Sequence, residues 1–148
     1  MSWGKFAASN PELAAYGETR LLAGVAYLAT VRRDGAPRVH PVTPIIGAGR
    51  LFIFMEPTSR KGDDLRRDGR YALHCAVEDN HGGDGEFYVY GTALPITDAQ
   101  TRAIAAEASN HPPKERYVLF ELGVDSAFSN LYTEDGNTFT MWKAEDAR

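Results

Sequence analysis

The sequence predicts a mainly β chain with peripheral helices, folded as one antiparallel barrel. Three observations carry this. Short runs rich in β-branched and aromatic residues recur about eight times, bounded by turn residues. Most are joined by short turns, the first by Asp34-Gly35, a pair that supplies the positive φ of a two-residue hairpin. Strand and helix do not alternate regularly, which argues against a doubly wound parallel sheet. About eight strands can close into a barrel that side chains fill, and closure removes exposed edges.

The elements follow in order. Asn10 to Leu22 reads as a helix: Asn10 caps it, Pro11 suits its first position, and Leu13, Ala14, Leu21 and Leu22 give it an apolar stripe. Val25 to Val31 and Arg38 to Val42 form the first hairpin around Asp34-Gly35. Gly47-Ala48-Gly49 marks a second turn before the apolar strand Leu51 to Met55. Thr58 to Arg67, a Ser or Thr followed by charged residues and a lone Leu, reads as a short, mostly exposed helix. Tyr71 to Val77 and Phe87 to Ala93 are two further strands, separated by a polar, glycine-rich loop from Glu78 to Gly85 that contains His81. Thr97-Asp98-Ala99-Gln100 is a capping-box pattern opening an alanine-rich helix to about Ala108, which His111-Pro112-Pro113 ends. Tyr117 to Leu122, Ala127 to Tyr132 and Thr138 to Trp142 are the last strands.

Length and composition fix the class. At 148 residues, 43% hydrophobic and 24% charged, the chain is one globular domain spanning 1–148. Its net charge of −4 gives no basic footprint for nucleic acid. The longest near-apolar run, Leu21 to Val31, is too short to span a bilayer and is not a signal-peptide start. A cytoplasmic location is expected. The single cysteine, Cys75, reads as a small core residue. His40, His74, His81 and His111 lack metal-ligand spacing, so no metal site is expected.

Two segments carry chemistry. Ser59-Arg60-Lys61 places a hydroxyl and two cations where a strand gives way to a helix, which outlines a phosphate site. The competing reading is a solvated basic face diluted by Asp63, Asp64 and Asp68. In Arg38-Val39-His40-Pro41-Val42-Thr43, Arg38 is either a second phosphate clamp or a solvent-facing side chain beside a hairpin. Pro41 cannot donate to a ladder, which marks an edge or a break where another group approaches.

Ala29-Thr30-Val31-Arg32-Arg33-Asp34-Gly35-Ala36-Pro37-Arg38, Leu51-Phe52-Ile53-Phe54, Ser59-Arg60-Lys61 and Asp64-Leu65-Arg66-Arg67-Asp68-Gly69-Arg70 together resemble the pyridoxamine 5′-phosphate oxidase-like, FMN-binding split-barrel family. The resemblance runs from about Val25 to Ala93. It implies a split barrel that forms a homodimer, with FMN at the interface and a small molecule as substrate. By that resemblance Arg38, Arg60 and Lys61 grip the FMN phosphate with help from Ser59. The backbone of Val39, His40, Pro41, Val42 and Thr43 runs along the flavin. Phe54, Met55, Glu86 and Trp142 approach it too. Related split barrels use deazaflavin F420 in the same cationic pocket. A non-catalytic flavin or haem module is the third reading, with His40 or His74 as the haem ligand.

The chain departs from the vitamin B6 oxidases where they hold their substrate. Thr43 stands where they carry a Lys. Ile104, Ala108 and Pro112 stand where a helix of theirs places a Tyr, an Arg and a Ser. Their Arg-x-His segment beyond the late Trp has no counterpart. The expectation is a kept flavin site and a lost pyridoxamine phosphate site, with Arg102 or Lys114 of a partner subunit as the candidates for restoring the charge.

Overall fold

The computed structural model describes residues 1–78 and 83–145. His81 and part of the expected polar loop lie outside the described residues. Two helices lead. The first, α1 (Trp3–Ser9), is capped by Ser2, whose Oγ accepts from the Lys5 N–H, and it buries Trp3 and Phe6. Then comes α2 (Pro11–Leu22), capped by the Asn10 carboxamide oxygen at 3.2 Å from the Leu13 nitrogen. The sequence predicts α2 but not α1.

The strands are β1 (Ala26–Val31), β2 (Pro37–Val42), β3 (Ile45–Gly47), β4 (Arg50–Met55), β5 (Arg70–Cys75), β6 (Glu86–Ile96), β7 (Val118–Leu122), β8 (Ser126–Thr133) and β9 (Gly136–Lys143). Two more helices, α3 (Arg60–Arg67) and α4 (Ala99–Ala108), interrupt them. Among the described residues nine strands thus stand where about eight were expected, because β3 is only three residues long. Gly35, at φ 86°, closes the β1–β2 hairpin, and Ala48 and Gly49 turn β3 into β4 with positive φ. The cap of α4 is Asp98 rather than Thr97: its Oδ2 accepts from the Thr101 N–H at 2.9 Å.

All strand pairings are antiparallel, and the order is β2-β1-β5-β6-β7-β4-β3. The split comes at β6. Its first half, Glu86 to Tyr90, pairs with β8, which pairs in turn with β9. Its second half, Ala93 to Ile96, pairs with β7. Gly91 sits at the change of partner. A Cβ there would lie 1.8 Å from the Gly123 carbonyl oxygen, so only glycine allows this approach. The result is a curled half-barrel with, among the described residues, four helices around it.

The inner face of the sheet is the core. Leu28, Leu73, Phe87, Val89 and Ala127 alternate inward from four neighbouring strands and meet Phe6, Leu13 and Leu21 of α1 and α2. Each large side chain buried there contributes roughly 1.5–3 kcal/mol. Cys75 belongs to this core. A smaller cluster of Ile45, Phe52 and Leu119 lies under Ala105 of α4.

The outer face is different. Strand registers align Pro41, Tyr27, His74, Tyr88, Phe128 and Met141 in one row across β2, β1, β5, β6, β8 and β9. Neighbouring Val39 and Phe139, and Met141 itself, are more than half exposed. No helix among the described residues is long and apolar enough to cross a membrane.

Candidate functional site

The site begins at α3. Ser59 caps the helix, its Oγ accepting from the Gly62 N–H at 3.3 Å. Inside the first two turns lies Asp64, only 2% exposed. Its Oδ2 accepts from Arg38 Nε and from Thr30 Oγ1, each at 2.7 Å, and its Oδ1 accepts from Arg67 Nη2 at 3.0 Å. Burial alone would raise the Asp64 pKa, but the bonds from Arg38, Thr30 and Arg67 outweigh it and hold the carboxyl below the usual range. It therefore stays ionised at neutral pH and fixes two guanidinium groups. This disfavours the competing reading in which Asp64 belongs to a solvated face and Arg38 points freely to solvent. Thr30 and Arg38 face each other across the β1–β2 ladder, which is why one carboxylate reaches both.

The first turn of α3 divides two grooves. Arg38 and Arg60 line one of them. The other, about 400 Å³, has Pro41, Val42, Thr43, Phe54, Met55 and Lys61 on its walls. Lys61 is partly buried, and that burial pushes its pKa down. Its ammonium makes no ion pair or side-chain hydrogen bond among the described residues. A desolvated cation beside apolar walls favours an anion as its partner. The far wall is the segment from Ser109 to Tyr117, including His111 and Lys114. Arg102 of α4 holds that wall: Nη1 donates to the Tyr117 carbonyl at 2.6 Å, and Nη2 donates to those of Lys114 and Glu115 at 3.2 Å. Its guanidinium also lies 5.1 Å above the Phe54 ring. Arg102 is thus committed inside its own chain. The wall is not visible in the sequence, because it is a loop placed by a contact fifteen residues away, from Arg102 to Tyr117.

The fold brings Arg38 and Arg60 to the first groove and Pro41, Val42, Thr43, Phe54, Met55 and Lys61 to the second, with Ser59 capping the helix whose first two residues are Arg60 and Lys61. The side chains of Val39, Glu86 and Trp142 are elsewhere in the protomer. Val39 projects from the outer face. Trp142 packs on Phe6, ring centroids 4.8 Å apart, and its Nε1 donates to Ser9 Oγ at 2.9 Å. Glu86 lies on the outer face, where its Oε1 is 3.0 Å from His74 Nε2 and its Oε2 accepts from the Tyr132 hydroxyl. The His74 Nδ1 is 2.6 Å from the Cys75 carbonyl oxygen. Hydrogen bonding to Cys75, and then to Glu86, overcomes burial and lifts the His74 pKa to about 9. The His74, Tyr88 and Phe128 rings stack in sequence, 5.4 and 4.9 Å apart. His40 is half-buried on β2.

A family model described as pyridoxamine 5′-phosphate oxidase matches residues 16–129. The chain belongs to this family. A sequence comparison with curated proteins finds no significant match. Among solved structures, the fold matches a pyridoxamine 5′-phosphate oxidase-related, FMN-binding protein from Nostoc punctiforme at TM-score 0.70 and 13% identity. That match covers 94% of this chain and 90% of the other. A haem-binding protein from Mycobacterium smegmatis matches at TM-score 0.64 and 19% identity, over 85% of this chain but only 57% of the other. The haem-storage protein HutZ from Vibrio cholerae matches at TM-score 0.56 and 14% identity, over 78% and 89%. The family fold therefore carries both flavin- and haem-binding members.

Proposed function

We propose that the chain is an FMN-dependent oxidoreductase acting on a small molecule, with the cofactor phosphate at the start of α3. The observation that carries this reading is the junction of a cationic helix start with an apolar groove of ligand size. Ser59, Arg60 and Lys61 supply a hydroxyl and two cations. Asp64 holds Arg38 beside them by its Nε, and the two Nη groups make no protein hydrogen bond among the described residues. Phe54, Met55, Pro41 and Val42 give flat apolar contact for a ring system, and the Ser109–Tyr117 wall limits access by water. When bound, the flavin supplies the hydride and electron chemistry. The chain's own residues bind and orient, so no strong acid or base is needed among them. F420 in the same pocket is the alternative of the same class.

Assembly is part of the proposal. The exposed row from Pro41 to Met141 fits a two-fold homodimer with the cofactor at its interface. Glu86 lies on that face, so a second copy is the way it reaches a groove. Haem is the weaker reading, since both His74 ring nitrogens are engaged, leaving His40. Pyridoxamine 5′-phosphate oxidation is not expected: Thr43 offers no cation, and Ile104 and Ala108 lack polar side-chain groups.

The test is the absorbance spectrum of purified protein and the mass of whatever it releases. A flavin spectrum supports the reading, and a Soret band overturns it. An Arg60→Ala/Lys61→Ala variant should lose FMN affinity by several kcal/mol, at about 1.5–3 kcal/mol for each charge-assisted bond. Riboflavin, which has no phosphate, should bind the variant and the parent alike. Unchanged FMN affinity would place the phosphate elsewhere.

A further inference from the structure

The inner face of the β8–β9 ribbon changes character along its length. Ala127 and Trp142 pair across it, and α1 covers them where Trp142 packs on Phe6. The next inward pair is Ser129 and Thr140. Ser129 is only 4% exposed and stands beside Phe87 of β6, so a hydroxyl occupies a position next to the apolar core. Hydroxyls facing each other across a ladder can bond to one another. Here neither the Ser129 nor the Thr140 hydroxyl makes a hydrogen bond among the described residues. A hydroxyl taken out of water without a partner is costly. Both hydroxyls open into a cleft of about 240 Å³ between the ribbon and the start of α2.

The other wall of the cleft is α2. Asn10 caps the helix with its carboxamide oxygen, which leaves its Nδ2 group as a donor with no partner among the described residues. Tyr16 is held from the far side: its hydroxyl donates to the Asp84 carbonyl, and its oxygen is left to accept. Leu13 and Leu131 add apolar contact. Glu12 is exposed and is the one charged side chain of the cleft among the described residues. Donors and acceptors therefore converge on a partly apolar space with a negative charge and no positive one. The volume matches about eight water-sized groups at ~30 Å³ each. No residue is shared with either groove beside α3.

We infer that this cleft is a second ligand site, separate from the proposed cofactor site, and that it takes a small amino alcohol or polyol. The shared chemistry is neighbouring O–H or N–H groups on a short carbon chain. The Ser129 and Thr140 hydroxyls both donate and accept, as the hydroxyls of such a molecule do, and Asn10 adds a donor. The carbon chain has Leu13 and Leu131 to lie against. Glu12 sets the charge. A helix start by itself favours an anion, and the Glu12 carboxylate reverses that preference: it attracts an ammonium, accepts a neutral hydroxyl and repels a carboxylate or phosphate.

The experiment titrates the purified chain with ethanolamine, glycerol and glycolate in turn and follows the backbone amides by NMR. Ethanolamine or glycerol should give saturable shifts centred on Leu13, Ser129 and Thr140, in the millimolar range expected of so small a ligand. Glycolate, of similar size but anionic, should bind at least about tenfold more weakly. A Ser129→Ala/Thr140→Val variant keeps nearly the same shape and removes two hydroxyls that have no protein partner. It should melt no lower than the parent and should lose the saturable shifts. Saturation by ethanolamine that Glu12→Gln weakens about fivefold identifies an amino alcohol, and saturation by glycerol that Glu12→Gln leaves unchanged identifies a polyol. The inference falls if neither probe saturates by about 0.1 M, or if glycolate binds as well as they do. It falls equally if the double variant melts well below the parent or keeps the shifts. None of these outcomes bears on the flavin site, which the absorbance spectrum tests separately.

Discussion

The α3 corner and the outer sheet face each gather several donors around one carboxylate, yet the two carboxylates do different work. Asp64 is buried beneath its donors and ties three elements together: β1 through Thr30, β2 through Arg38 and α3 through Arg67. Glu86 is half-exposed on a sheet face, with His74 and Tyr132 as its partners. Removing a partner of a buried charge leaves the rest uncompensated, whereas water replaces much of what an exposed pair loses. The first cluster therefore sets stability and, in the proposed reading, preorganises Arg38 for the cofactor phosphate. The second stays available to another surface.

Breaking the inner cluster should have the largest effect. Asp64→Ala leaves Arg38 and Arg67 without their carboxylate and should cost about 3 kcal/mol in urea-induced unfolding. The wild-type contribution should also depend on pH in a definite direction. The folded Asp64 pKa lies below the ordinary carboxylate value. Its stabilisation is thus complete above about pH 4 and is lost as pH falls through the folded value. Acid titration of the parent and of Asp64→Ala should show the difference between them closing only at low pH.

On the outer face the expected effect is on association rather than folding. Met141→Asp puts a charge at the exposed end of the row and should weaken a dimer at least about 30-fold, near 2 kcal/mol, by analytical ultracentrifugation. Its monomer should unfold at nearly the parent's urea midpoint. A variant that dimerises unchanged would move the interface off this face.

Smaller changes sharpen the contrast. Ser59→Ala removes the α3 cap and should lower stability by about 1 kcal/mol in thermal unfolding. His74→Gln tests the exposed pair. The folded His74 pKa is raised to about 9, so its contribution is full below the unfolded value near 6.5 and is lost as pH rises towards 9. The side chain is about a third exposed, and solvent screening leaves only about 0.5 kcal/mol at pH 6. The parent should lose that increment between pH 6.5 and 9, and the variant should show no such loss.

What the sequence disclosed follows from range. The β1–β2 hairpin and the cap of α2 are local signals, and each appears where its residues predict; of Thr58 and Ser59, which the pattern leaves open, Ser59 caps α3. The β3 strand is too short to show an alternation, and α1 is a two-turn helix held by burial of Trp3 and Phe6 more than by its own propensity. The cationic corner was legible as Ser59-Arg60-Lys61. The role of Asp64 was not, because its partners Thr30 and Arg38 lie 34 and 26 residues away. Hydrophobic patterning also gives no sign that the outer aromatic row lines up across six strands, since that depends on register.

The change of partner along β6 has a consequence for how the molecule opens. One strand supplies ladder bonds to β5, β8 and β7, with Gly91 pressed against the Gly123 carbonyl at the changeover. Neither half of the barrel can come apart locally without loosening the strand that organises the other. Amide protons along the middle of β6 should therefore exchange with deuterium only through global unfolding, in step with those of β5 and β7. Apart from β9 itself, the β8–β9 ribbon has ladder bonds to one half of β6 alone. It should exchange faster, as a separate and less stable foldon.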